Sequence, residues 1–162
     1  MNESSPYLKD DHRLADVIAA IQAMGTYKYY KLDFAAWADR IGGSTTQSTH
    51  WKMVFEEHPE FFRLDSSRQK ASLVWRRQHQ KLFNVDTEEK ISKEEYAGLT
   101  DHGKTRISRS PLSSNELATL VKTAIDLHSR ALDRKRDSRW WVAGAFGLAG
   151  VILGALIKAW AG

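Results

Sequence analysis

Apolar residues recur at helical spacing over the first third of the chain and predict three helices. The first runs from about residue 14 to residue 24 and ends near Gly25. The second begins after Asp33, an N-cap residue type, and ends at Gly42 and Gly43, and the third spans about residues 46–57 and ends before Pro59. The predicted inner faces hold Leu14, Val17, Ile18 and Ile21; Phe34, Trp37, Ala38 and Ile41; and Trp51, Val54 and Phe55.

Two β-prone runs follow the third helix, at residues 61–64 and 71–77, and the polar residues 65–70 separate them. This pattern predicts a hairpin. Residues 78–110 are polar and predict a linker with one short helix at 92–97, where Ser92 and Glu95 have the spacing of a capping box. Ser113 and Glu116 repeat that spacing and predict the start of a last helix.

The order of helix, helix, glycine turn, helix and hairpin over residues 14–77 resembles the winged-helix family, a helix-turn-helix followed by a β wing. The resemblance rests on element order and spacing, and it implies that the helix from about Thr46 to Glu57 is a recognition helix. It also places Arg68, Gln69 and Lys70 at the tip of the wing.

If such a domain reads DNA, polar side chains of the recognition helix are expected to reach base edges or phosphates, and basic side chains near the wing are expected to contact the backbone. The first group is Thr46, Gln47, His50 and Lys52, and the second is Arg68, Lys70, Arg76 and Arg77. For His50, a packing or surface role is the simpler interpretation. Glu56, Glu57 and Glu60 weaken the basic character of this surface, so nucleic acid, a nucleotide signal and a partner protein all stay open as ligands.

A long helix is predicted from residue 113 to the C-terminus, because no proline interrupts it. Its apolar positions Leu117, Leu120, Ala124, Leu127 and Ala131 have a spacing of about 3.5 residues, which favours a coiled-coil stalk over residues 113–139. The alternative is a helix that packs on its own globular domain.

Residues 140–160 are apolar, with tryptophans at both ends, and predict a single transmembrane helix. The basic residues before it predict a cytoplasmic N-terminus and a tail-anchored, single-pass protein, of bacterial inner membrane type. These topology residues are Arg130, Arg134, Lys135, Arg136 and Arg139. A buried helix of a globular protein is the alternative for this segment.

Small residues form one face of this C-terminal segment, namely Ala143, Gly147, Gly150 and Gly154. Such a face permits close helix packing in lipid and predicts a homo-oligomer assembled in the membrane. Glycine is also common in transmembrane helices without any such role.

The composition limits the catalytic and metal-binding chemistry that the chain can perform. The chain has 162 residues, a net charge of +4 and no cysteine, which excludes disulfides, thiolate nucleophiles and cysteine-ligated metals. The six histidines have no metal-ligand spacing, and no glycine-rich phosphate loop precedes a helix. We therefore expect a non-enzyme without a metal or cofactor.

Together these patterns predict a mainly α fold with a small β wing. The expected parts are a winged-helix-like cytoplasmic domain (1–82), a polar linker (83–112), a helical stalk (113–139) and a transmembrane helix (140–160). The predicted function is a membrane-tethered binding domain that reports to a homo-oligomeric membrane helix. The alternative is a defence-like membrane effector or pore-forming oligomer whose assembly the N-terminal domain controls.

Overall fold

A computed structural model describes the backbone of residues 5–160 and the side chains of residues 5–137. The helices are α1 (Arg13–Thr26), α2 (Phe34–Gly42), α3 (Ser48–Glu57), α4 (Lys93–Gly98), α5 (Asp101–Thr105) and α6 (Ser114–Trp160). The strands are β1 (Lys31–Asp33), β2 (Phe62–Leu64), β3 (Lys70–Leu73), β4 (Phe83–Asn84) and β5 (Ile107–Ser108). The first three predicted helices are confirmed, each to within a few residues at its ends.

The core lies between α1, α2, α3 and an antiparallel sheet of order β1-β3-β2. Val17, Trp37 and Phe55, one from each helix, are fully buried there. The indole Nε1–H of Trp37 donates to the carbonyl oxygen of Ala71 at 2.9 Å, so this large apolar side chain also satisfies its one polar atom. The contact ties α2 directly to the central strand.

The predicted hairpin forms, but its second strand is shorter than expected. It ends at Leu73, and a 3-10 helix occupies Trp75–Gln78 in place of the predicted strand at 74–77. The chain turns there because Arg76 points into the interior and bonds to backbone carbonyls. The Arg77 N–H donates to the Val74 carbonyl oxygen at 3.0 Å, a hydrogen bond three residues back along the chain that is typical of a 3-10 helix and not of a strand.

The segment predicted as a polar linker is largely ordered into short elements. Strands β4 and β5 pair in antiparallel fashion, with Phe83 opposite Ser108, and α4 and α5 lie between them. The predicted capping box is confirmed, because Ser92 Oγ accepts from the Glu95 N–H at 3.0 Å while Glu95 Oε2 accepts from the Ser92 N–H at 2.7 Å.

The beginning of α6 packs against α1 within the same core as the first three helices. Leu120, Ala124 and Ala131 are buried in that core. The second predicted capping box also forms, with Glu116 Oε2 accepting from the Ser113 N–H at 2.8 Å. These positions therefore do not form a coiled-coil stalk. They follow the alternative prediction, in which the helix packs on its own globular domain.

Among the residues that the structure describes, no helix is both long and apolar enough to cross a membrane. This finding contradicts the predicted transmembrane helix at 140–160, and the fold class is corrected to mainly helical with small sheets. The tail-anchored, single-pass and inner-membrane predictions are corrected with it. The described part of α6 exposes charges such as Lys122, Asp126 and Arg130 along its length, so that part has no apolar stretch long enough to span a bilayer. The side chains of the predicted span itself lie outside the described residues.

Candidate functional site

The turn between α2 and α3 is built by two local devices. Gly43 has a φ of 71°, a left-handed conformation that ends α2 at low steric cost. Ser44 Oγ then accepts from the Thr46 N–H at 3.4 Å, and a 3-10 turn over Thr45–Gln47 leads into α3. Thr46 and Gln47 are exposed as a result.

Helix α3 has a buried face and an open face. Trp51, Val54 and Phe55 are buried, whereas Lys52 and Met53 are exposed. The Lys52 ammonium lies 6.0 Å from the centre of the Phe34 ring, a cation–π contact that does not cancel its charge. The open face of α3 therefore presents the cation of Lys52 and the apolar side chain of Met53, and the polar 3-10 turn precedes it.

His50 is engaged within the protein. Its Nε2 lies 3.0 Å from Asp16 Oδ2 of α1, and its ring packs edge-on against Trp51 at 5.2 Å. These contacts fit the packing role better than base readout.

The carboxylates near the end of α3 all have partners. Glu56 pairs with Arg68 at 2.7 Å, and Glu57 pairs with Lys9 at 2.8 Å and with Arg13 at 3.2 Å. The acidic groups that weakened the predicted nucleic-acid surface are thus neutralised within the protein.

Glu60 lies against the N-terminal segment, in contact with Tyr7. Burial alone would raise the pKa of Glu60, but hydrogen bonds from His58 at 3.0 Å and from Tyr7 at 3.1 Å hold it below its usual value. The same carboxylate, together with burial, raises the pKa of the Tyr7 phenol.

The β2–β3 turn is ordered by Asp65. Its Oδ1 accepts from the Gln69 N–H at 3.1 Å and from the Lys70 N–H at 3.2 Å. These bonds outweigh the effect of burial and lower the pKa of Asp65. Arg68 and Lys70 are exposed at the tip, and Arg68 has a φ of 54°.

Arg76 is not at the surface, which corrects its predicted role as a phosphate contact. Its side chain is fully buried and donates to the carbonyl oxygens of Met24 at 2.8 Å, Tyr27 at 2.5 Å, Arg109 at 2.5 Å and Ser110 at 3.2 Å. Burial lowers the pKa of Arg76 to about 10, which leaves the guanidinium charged at neutral pH. Nothing in the sequence distinguishes the buried Arg76 from the exposed Arg77 beside it.

Of the other predicted site residues, Arg77 is exposed in the 3-10 helix after β3, and the predicted topology residues are on α6. Arg130, Arg134, Lys135 and Arg136 are exposed on α6. Arg139 and the predicted oligomerisation face of Ala143, Gly147, Gly150 and Gly154 lie outside the residues whose side chains the structure describes. Thr46, Gln47 and Lys52 are exposed in the turn before α3 and on α3, and the Glu56–Arg68 pair places the β2–β3 turn, which leads to Lys70, beside the end of that helix.

Within residues 5–137, no cluster of histidine and carboxylate side chains has the arrangement needed to hold a metal ion. Comparison of the chain with protein-family models, with curated proteins and with solved structures found no match.

Proposed function

We propose that residues 13–73 form a winged-helix domain that binds nucleic acid, with α3 as the recognition helix and the β2–β3 turn as the wing. The element order supports this proposal, since three helices precede a hairpin that pairs with a short strand placed before α2. The 3-10 turn that leads into α3 supplies hydrogen-bonding side chains in Thr46 and Gln47.

The observation that carries the proposal is the distribution of unpaired charge. Glu56, Glu57 and Asp65 are each held by contacts within the protein. Lys52 and Lys70 are exposed, and within the described part of the chain neither ammonium has an ion pair. The field available to a ligand at this surface is therefore positive, although the formal charges of the region nearly cancel.

The test is the salt dependence of duplex DNA binding by the full chain, followed by fluorescence anisotropy. Each lysine that contacts a phosphate contributes about one unit to the slope of log K against log salt concentration. We expect Lys52→Gln and Lys70→Gln each to reduce that slope by about one. Lys122→Gln on the exposed side of α6 is the matched control and leaves the slope unchanged.

Two outcomes overturn the proposal: no binding at low salt, or binding that both lysine substitutions leave intact. In the first case the exposed Met53 makes the same surface better suited to a protein partner.

A further inference from the structure

A groove lies beside the proposed DNA surface, between the end of α3, the β2–β3 turn and the three-stranded sheet. Its volume is about 690 Å³, within the range of small-molecule sites. Tyr30, Lys31, Arg63 and Arg77 line it together with residues of α3 and the turn. Of these, only Arg77 was singled out by the sequence.

The sheet register places the basic residues of the groove side by side. Lys31 of β1 and Arg63 of β2 both lie opposite Ser72 of the central strand, so the three form one row across the sheet. Ser72 Oγ donates to the Arg63 carbonyl oxygen at 3.3 Å. Arg77 lies in the 3-10 helix after β3, and its carbonyl oxygen accepts from Arg109 Nη1 at 2.6 Å, which fixes the backbone there.

The charges in the groove do not cancel. Lys31 faces Asp65 at 4.0 Å, and Arg68 pairs with Glu56 at 2.7 Å. The guanidinium groups of Arg63 and Arg77 have no carboxylate partner among the described residues. Two unpaired guanidinium groups at one cavity are suited to a phosphate, whose oxygens accept their paired N–H groups.

Part of the remaining lining is apolar. Pro59 and Leu64 contribute accessible apolar surface above the buried Phe55 and Phe62, and the Tyr30 ring adds an aromatic surface. Arg109 covers the Tyr30 ring at 5.1 Å from its centre, which holds the ring in place. A ligand that fits both halves of the groove carries a phosphate and a planar, weakly polar ring.

We propose that this groove binds a nucleoside phosphate, with Arg63 and Arg77 on the phosphate and the apolar wall against the base. This is a second site, separate from the duplex surface of Lys52 and Lys70, and it does not depend on the proposed function. The charged and apolar halves act together, so neither phosphate nor nucleoside alone satisfies the site.

The experiment is calorimetric titration of the full chain at low salt with three probes: adenosine monophosphate, adenosine and inorganic phosphate. Adenosine monophosphate is expected to bind more tightly than either fragment. Arg63→Gln and Arg77→Gln are each expected to weaken its binding by roughly tenfold or more, since a hydrogen bond to a charged group is lost. Arg63→Lys keeps the positive charge but loses the planar guanidinium that can donate two parallel hydrogen bonds to a phosphate. We therefore expect an affinity for adenosine monophosphate between those of the native protein and Arg63→Gln.

Lys93→Gln, an exposed position on α4, is the matched control and leaves binding unchanged. The proposal is overturned if no probe binds, if adenosine or phosphate alone binds as tightly as adenosine monophosphate, or if Arg63→Gln and Arg77→Gln both bind it normally. Lys52→Gln is expected to retain adenosine monophosphate binding, and Arg63→Gln to retain duplex binding. Failure of one site is thereby distinguished from failure of the other.

Discussion

The carbonyl oxygen of Met24, in the last turn of α1, accepts a hydrogen bond from the buried Nη1 of Arg76 at 2.8 Å. The same guanidinium holds the carbonyl oxygens of Tyr27 and of the segment that leads into α6. One side chain therefore joins the end of α1, the 3-10 helix after β3 and the approach to the long helix. Its partners are all backbone carbonyls, which only accept hydrogen bonds, so they cannot pair with one another when the guanidinium is removed.

Arg76→Met is expected to lower the free energy of unfolding by about 3 kcal/mol or more, because several buried carbonyl groups lose their donor at about 1–3 kcal/mol each. Arg76→Lys is also expected to be destabilising, since a single ammonium does not span the same carbonyls. Urea unfolding of the full chain measures the effect. The neighbouring Arg77→Met is the control, and equal midpoints for Arg76→Met and Arg77→Met would contradict the assigned role.

The contact between Gly25 and α6 gives a second prediction. A Cβ at residue 25 would lie 2.3 Å from Leu117 Cδ2, and the Gly25 carbonyl oxygen accepts from the Leu112 N–H at 2.9 Å. Gly25→Ala is therefore expected to destabilise the protein by about 1–3 kcal/mol through overpacking between α1 and α6.

A double-mutant cycle separates this clash from a general effect of alanine. Leu117→Ala removes the clashing atom, so the double substitution is expected to cost less than the sum of the single ones. Gly98→Ala, which meets no atom within 4 Å, serves as the control and is expected to be neutral or slightly stabilising. Strict additivity at residues 25 and 117 would refute the close approach.

The helix boundaries of the first domain could be predicted because local chemistry sets them. Asp33 caps α2 by accepting from the Ala36 N–H at 2.8 Å, and Gly43 ends it. Strand β1 was missed because three residues are too few to establish an alternating pattern and pair only with a strand about 40 residues away in sequence. Its register depends on tertiary packing that a local pattern does not contain.

For the candidate site, too, the features set by local helix chemistry could be predicted, and those set by tertiary packing could not. Lys52 is exposed on α3 as the helix period predicts, and Thr46 and Gln47 are exposed in the 3-10 turn before that helix. Arg76 was predicted to be exposed but is buried, because its burial depends on carbonyl groups from two segments that are distant in sequence. Arg63 was missed because the groove exists only where the sheet, the turn and the end of α3 meet.

The turn before α3 gives a third prediction. Gly43 has a φ of 71°, which a side chain with a Cβ adopts at a cost of about 1–2 kcal/mol. Gly43→Ala is expected to lower stability by that amount, and Gly43→Asn by less, because asparagine tolerates this conformation. Thermal unfolding of the two variants measures the difference. An alanine variant as stable as the asparagine variant would contradict the left-handed turn.

The pH dependence of stability tests the contact of Glu60 with Tyr7 and His58. The pKa of Glu60 lies below its ordinary value of 4.5 in the folded protein, so the native carboxylate is stabilised relative to the unfolded chain. That contribution is present above the unfolded pKa and is lost as the pH falls through the folded pKa. Glu60→Gln is therefore expected to be less stable than the native protein at neutral pH, with the difference shrinking as the pH drops below 4.5. Urea unfolding over this pH series measures the difference, with Glu94→Gln on the exposed face of α4 as the control. A difference that stays constant with pH would mean that the carboxylate gains nothing from Tyr7 and His58, and that packing alone holds the N-terminal segment in place.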